Sequence, residues 1–355
     1  MSEQIRPRIT AEEFDIVQQY RGIKIESDES GLNIEDVKHG WLKTAKASLF
    51  FKNPDFKDQQ LKQIVNVKDA LLKEMQSFIP KYPEIKRKES TEGHLLVIDP
   101  ADIHIGKLCD AFETGEDYNS QIAVRRVREG VQGILDKSRG FQIDKILFIG
   151  GNDILHIDMP SRKTTAGTPQ DTDGMWYTNF LTAKKLYVEI LEMLLSVADV
   201  HFTFNPSNHD YTHGFFLADV IQTWFKDCKN ITFDCSIAHR KGFRYGSSLI
   251  GTTHGDGAKP DLLPLLMAQE FPLYWSMTKH RYVYTHHVHH KSSKDYVGCT
   301  VESLRSPSGT DSWHHKAGYQ HAPKAVEGFI HSKNHGQVAR LTHIFSALFF
   351  ISLFL

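Results

Sequence analysis

Apolar positions in residues 1–92 recur mostly at helical spacing. Thr10-Ala-Glu-Glu13 is a capping-box pattern ahead of Phe14, Val17 and Tyr20. A second helix is predicted after Asn33, carrying Val37, Trp41 and Leu42. A third spans 58–79, with Leu61, Ile64, Val65, Leu71, Leu72, Met75 and Phe78 at helical spacing. Pro80 and Pro83 end it, and 84–92 reads as a charged linker. The pattern changes at His94, where short apolar runs alternate with long helical ones. Strands are predicted at Leu95–Ile98, Lys145–Ile149, His201–Phe204, Ser248–Thr252 and Arg281–Thr285, and helices at 120–138, 176–198 and 214–227. Such alternation predicts an α/β domain. The chain thus divides into a helical region (1–92), an α/β domain (93–343) and an apolar tail (344–355).

Composition narrows the function classes. With 40% hydrophobic and 24% charged residues in a chain of 355, wholesale disorder is excluded, and a net charge of -1 excludes a polycation. Residues 1–93 carry 16 Lys+Arg and 16 Asp+Glu, a balance that favours a packing or homodimer role over a DNA-binding helical element. The four cysteines form no C-x-x-C pair, which fits a reducing cytosol. No secretory pattern opens the chain, and the 12-residue, mostly apolar run at 344–355 falls short of the roughly 20 a membrane span needs. The expectation is a cytoplasmic protein with no membrane contact. No G-x-G-x-x-G or P-loop follows any predicted strand. Histidine, at 20 residues, is over-represented, and it is the commonest metal ligand.

Those histidines are concentrated where strands end. Asp99-Pro-Ala-Asp102-Ile-His104 follows the first strand and Gly-Gly-Asn152-Asp153 the second. Asn208-His209-Asp210 follows the third, His254-Gly-Asp256 the fourth and His286-His287-Val-His289-His290 the fifth. Open α/β sheets bind ligands outside the carboxyl ends of their strands, so these groups have reason to converge. Two carboxylates, one amide oxygen and four imidazoles suit manganese, iron or zinc better than calcium or copper(I). Seven ligands exceed one tetrahedral ion and suit two ions about 3.5–4 Å apart sharing a carboxylate.

In order, Asp102-x-His104, Gly-Asn152-Asp153, Asn208-His209-Asp210, His254 and His287-x-His289 resemble the motifs of the calcineurin-like metallophosphoesterase superfamily. The resemblance covers residues 94 to 300. It implies a two-sheet β-sandwich flanked by helices. It also implies two divalent ions, Mn2+ first with Fe, Zn or Mg as alternatives. Asp102, His104 and His289 would hold one ion, Asn208, His254 and His287 the other, and Asp153 would bridge. His209 would act at the leaving-group oxygen, oriented by Asp210. The implied reaction is hydrolysis of a phosphodiester by metal-activated water. The style of the loops, including Thr164–Asp171 and Ser306–Trp313, is similar to phage and prophage members related to DNA repair exonucleases, so DNA is the expected substrate. Small nucleotides or phosphoproteins as substrates, or a non-enzymatic DNA-binding protein, are the alternatives.

The sequence departs from the motifs at three turn glycines, occupied here by Asn152, Ser207 and His286. Asn152 is a rival for the bridging position, though a bridge needs charge. Around the motifs, Asp99 is expected to cap a strand end and Asp256 is weighed as a partner that orients His254. His156 and Asp158 are weighed as neighbours of the site. His286 and His290 are expected at the surface, Trp176 and Tyr177 in the core. His314 and His315 are open between substrate contact and solvated loop. The run Lys86-Arg87-Lys88 is expected to be a solvated linker.

Overall fold

The computed structural model describes residues 38–43, 48–52, 81–88, 90–318 and 321–345. The chain forms two compact units, 1–79 and 80–355. In the first, β1 (His39–Lys43) pairs antiparallel with β2 (Ser48–Lys52), with Trp41 opposite Phe50. This corrects the helix expected after Asn33, because Trp41 and Leu42 lie on a strand. Two short runs rich in aromatic residues, four residues apart, satisfy each other's backbone as a hairpin, and that outweighs a weak helical spacing. The helices expected near Thr10 and over 58–79 lie outside the described residues.

The second unit is built on two sheets. Six strands run in the order β13 (Gly336–Ile344), β12 (Ala325–Ser332), β3 (His94–Asp99), β4 (Ile143–Gly151), β5 (Asp199–Asn205), β6 (Ile231–Asp234). Five more run β10 (Ser292–Tyr296), β11 (Cys299–Ser303), β9 (His280–Thr285), β8 (Ser248–Thr253), β7 (Arg240–Tyr245). Strands β3 to β6 are mutually parallel, and so are β8, β9 and β11. Along β3, Leu95 and Val97 face the other sheet in a core with Leu147, Ile149, Ile250, Tyr284 and Phe329. Leu96 and Ile98 face the helices. A strand buried on both sides needs an unbroken apolar run, which is why this segment was readable.

Helices α2 (Ser120–Ser138), α3 (Trp176–Leu195) and α4 (Tyr211–Trp224) supply the large core on the outer face of the six-stranded sheet. On α2 the buried Ala123, Val127, Val131, Ile134 and Leu135 form one stripe, and Asn119 caps the N-terminus through the N–H of Ile122. Helices α5 (Leu263–Glu270) and α6 (Pro272–Met277) cover the five-stranded sheet through Leu263, Met267, Phe271 and Trp275. Two small helices, α1 (Ala111–Thr114) and α7 (Ser312–Lys316), lie in the loops. The result is the α/β fold, two sheets flanked by helices, that the motif resemblance implies.

The segment expected to be a solvated linker is instead fastened down. Asn230 exchanges two hydrogen bonds of 2.8 Å with the backbone of Ile85, and Tyr82 donates to Glu192 at 2.7 Å. Arg87 pairs with Asp199 and the carbonyl of Leu195. At the other end, β13 takes in Ile344, and Phe345 packs under the Arg126 guanidinium at 5.6 Å. The rest of the apolar tail lies outside the described residues. Among those residues no helix is long and apolar enough to cross a membrane.

Candidate metal centre

Five parallel strands end on one side of the molecule: β3, β4 and β5 from one sheet, β8 and β9 from the other. The turns beyond them carry the residues singled out above. Six of these residues have a left-handed backbone: Asp102 (φ 53°), His104 (52°), Asn152 (51°), Asp153 (60°), His287 (71°) and His289 (56°). Apart from these, Arg162 is the one non-glycine described with positive φ. Left-handed turns reverse the chain within one or two residues and aim side chains back over the strand ends. Gly151 (φ 79°) makes the Asn152–Asp153 turn possible, since a Cβ there would lie 2.2 Å from the Asn205 carbonyl oxygen. The turns also hold each other: the Asp102 N–H donates to the Asn152 carbonyl and the His104 N–H to that of Asp153, both at 2.8 Å.

The expected ligands come together. Donor atoms of Asp102, His104 and His289 lie within 4.8 Å of one another, and so do those of Asp153, His254 and His287. Asp153 Oδ2 reaches both groups, 3.2 Å from His254 Nε2 and 3.8 Å from His104 Nε2. The Asn208 amide oxygen is 2.8 Å from His254 Nε2. A third group joins His104 with His156 and His209. The His209 ring lies 4.6 Å from that of His104 and stacks on His156 at 5.2 Å.

The electrostatics are those of a centre short of positive charge. Asp102 and Asp153 are buried and, among the described residues, no lysine or arginine forms an ion pair with either carboxylate. Burial pushes Asp102 up to about 7 against the attraction of His254 and His286. Burial would raise Asp153 too, but the charges of His254 and His209 outweigh it and hold this carboxyl well below its usual range. His254 shows the reciprocal effect. Burial opposes its protonation, yet Asp153, Asp102 and Asp256 push it up to about 9. His104 and His289 are held well below the ordinary histidine range, by burial first. A proton on His254 thus sits between two buried carboxylates, with His104 and His289 held neutral. Its Nδ1, buried without a hydrogen-bond partner, is 4.0 Å from Asp102. This donor set fits divalent cations, which would displace that proton and use the lone pairs.

Several expectations about neighbouring residues are revised. Asp210 does not orient His209. Its carboxylate accepts from the Ser207 hydroxyl at 2.5 Å and the Leu155 N–H at 2.8 Å, while His209 Nδ1 lies 2.9 Å from the His156 carbonyl. Asp256 makes no hydrogen bond to His254, whose Nδ1 is unpartnered. His286 is buried rather than at the surface, with Nε2 2.9 Å from Asp99 and Nδ1 3.1 Å from the Thr253 carbonyl. Asp99 is correspondingly a buried partner, not a simple strand cap. Trp176 and Tyr177 are exposed, not core. Asp158 caps α4 through the N–H groups of Thr212 and His213. The departures from glycine are thereby explained at two positions. Ser207 accepts the Asp153 N–H at 2.9 Å while donating to Asp210, and His286 ties the β9 turn to β3 and β8. Asn152 keeps both side-chain amide atoms buried without a partner.

Two residues beside the centre, Lys107 and Asp311, escaped the sequence. Lys107, 1% exposed, pairs with Asp311 at 2.8 Å. Asp311 also binds His314 Nδ1 at 2.7 Å, and the His314 ring stacks on His289 at 4.8 Å and 12°. Nothing in the sequence distinguishes Lys107 from a surface lysine. His314, left open between substrate contact and solvated loop, is set against His289 by Asp311, to which the sequence assigns no role of its own.

No protein-family profile matches the chain, and no curated protein does. Solved structures of similar shape include an archaeal phosphodiesterase at 8% identity and TM-score 0.33, covering 71% of this chain and 99% of that one. Vacuolar protein sorting 29 from Cryptosporidium parvum is 12% identical, with TM-score 0.32, over 73% of this chain and all of that one. A predicted phosphoesterase from Streptococcus pneumoniae is 14% identical, with TM-score 0.28, over 73% of this chain and 100% of that one. Likeness this remote says nothing of activity, which must be read from the side chains.

Proposed function

We propose that the chain is a binuclear metal-dependent phosphoesterase of the calcineurin-like type, hydrolysing phosphodiester bonds of nucleic acid. The observation that carries it is the meeting of the Asp102–His104–His289 and Asp153–His254–His287 groups at Asp153. In this reading Asp102, His104 and His289 hold one divalent cation and Asn208, His254 and His287 the other, with Asp153 shared and Mn2+ the preferred metal. When bound, the cations supply positive charge to the ester oxygens and make a water nucleophilic near neutral pH.

The chain's own residues do the rest. The His209 N–H donates to Asp153 Oδ1 at 3.0 Å, which ties the catalytic candidate to the shared carboxylate. His209 Nδ1–H, donated to the His156 carbonyl, fixes the tautomer and leaves Nε2 for the leaving-group oxygen. Asp210, locked by Ser207 and Leu155, holds the 207–210 turn rather than the imidazole. The test is cleavage of bis-p-nitrophenyl phosphate and of single- and double-stranded DNA with Mn2+. His209→Ala is expected to slow hydrolysis by about 10²–10⁴-fold. Asp153→Asn is expected to abolish it and lower the bound metal. Undiminished activity in both variants rejects the assignment. Hydrolysis of the small ester but of no DNA rejects the nucleic-acid part alone.

A further inference from the structure

The loop between β4 and α3 leads away from the candidate centre to an exposed pair of aromatic rings. Trp176 opens α3 and is 37% exposed, and its neighbour Tyr177 is 51% exposed. The indole stacks on His213 with centroids 5.5 Å apart and planes only 3° from parallel. His213 lies in the first turn of α4, four residues beyond His209. The same loop clasps both places. His156 receives His209 Nδ1, Asp158 caps His213 at 2.8 Å, and Thr165 donates its N–H to the Asn208 carbonyl at 3.2 Å. The ring pair is therefore fixed to the turn that carries Asn208 and His209.

Two features give this surface a direction. Burying an exposed indole is favourable, and a flat ring on a flat ring offers a partner of similar shape. Arg162 and Lys163 belong to the same loop, and the Lys163 carbonyl accepts the N–H of Asp158, the residue that caps His213, at 2.9 Å. Arg162 is exposed, and among the described residues neither makes an ion pair. Flat aromatic surface and unpaired cations carried by one loop match an unpaired nucleobase on a phosphate backbone. A base pair inside a duplex does not offer its face.

We propose that the Trp176–His213 stack, with Arg162 and Lys163 of the same loop, is a platform for an unpaired base of single-stranded nucleic acid entering the metal centre. This rests on the nucleic-acid reading above. His213 backs the indole and holds its plane, and the outer face of Trp176 takes the base. The cations take neighbouring phosphates without reading sequence.

The test is fluorescence anisotropy at low salt, with EDTA to stop cleavage. The probes are fluorescein-labelled oligothymidylate and an abasic oligomer of equal length. Trp176→Ala is expected to weaken oligothymidylate binding about tenfold and leave the abasic oligomer unchanged, while Trp176→Phe keeps most of the affinity. Replacing Arg162 and Lys163 by Ala should weaken both probes alike and flatten the salt dependence. Equal loss on both probes in Trp176→Ala, or no loss on either, overturns the platform. Wild-type protein that binds neither probe overturns the nucleic-acid reading itself. Binding of both with nothing lost in the variant overturns the platform alone.

Discussion

Replacing Ser207 by Ala removes one hydroxyl that does two jobs. It accepts the Asp153 N–H at 2.9 Å and donates to Asp210 at 2.5 Å, in a site where Ser207 is 3% and Asp210 1% exposed. Losing the first leaves a buried N–H unpaired, at about 1–3 kcal/mol, and losing the second removes a bond to a charged group worth about 1.5–3 kcal/mol. The two share an atom and are not additive, so the expected loss is about 3 kcal/mol above neutral pH. The pH dependence is more diagnostic. Burial, with the Asp153 charge, pushes Asp210 up to about 7, while the Ser207 bond pulls it down. An aspartate whose folded pKa is raised favours folding while protonated, and that contribution is lost as pH rises from about 4 through about 7. Without Ser207 the carboxylate is harder to ionise, so the variant should lose more at about pH 8 than at about pH 5.5, by about 1 kcal/mol. Urea unfolding at the two pH values, with equal m, measures this. A total loss under about 0.5 kcal/mol, or one identical at both pH values, would refute the reasoning.

Three further outcomes follow from the same geometry. Because His254 holds its proton up to about 9, Mn2+ binding should release protons and tighten as pH rises toward that value; calorimetry in buffers of different ionisation heat reads this directly, and a flat profile contradicts it. His286→Ala leaves Asp99 buried without its partner and should cost about 3 kcal/mol by thermal unfolding, with His286→Gly no better because His286 does not have the left-handed backbone that favours glycine. His331 is pushed down to about 3 by burial; the fold excludes its charged form, so its contribution is intact above about 6.5 and lost as pH falls toward 3. His331→Gln should flatten that acid limb of the stability curve.

The strands that place the site were readable because they are buried on both faces. Leu95–Ile98 and Ile146–Ile149 are apolar without a break, while Val200, Phe202 and Phe204 alternate with His201 and Thr203 in the third strand. Strand β10 was not readable: Ser-Ser-Lys-Asp-Tyr is exposed almost throughout, and only pairing with β11 makes it a strand. Strand β7 likewise carries Lys241 and Arg244 among its apolar residues, with Lys241 buried on Asp234. The metal-ligand candidates were visible because each follows a strand. What no spacing revealed was which partner each would take. His209 went to a backbone carbonyl, Asp210 to a serine, and His286 to an aspartate at the end of another strand. For His209 and His286 the choice is made by packing between elements far apart in the chain, and for Asp210 by the turn it shares with Ser207.

The left-handed turns at the centre narrow what the site can become. Asp102, His104, Asp153, His287 and His289 are all candidate donors on backbone of positive φ. Among side chains with ligand atoms, Asp, Asn and His tolerate that conformation best. An engineer seeking a softer metal through cysteine, or a longer reach through glutamate, would meet a backbone penalty of about 1–2 kcal/mol per position before any gain in coordination. Asn208 and His254, the candidate donors without a positive φ, are the positions where metal preference is most open to redesign.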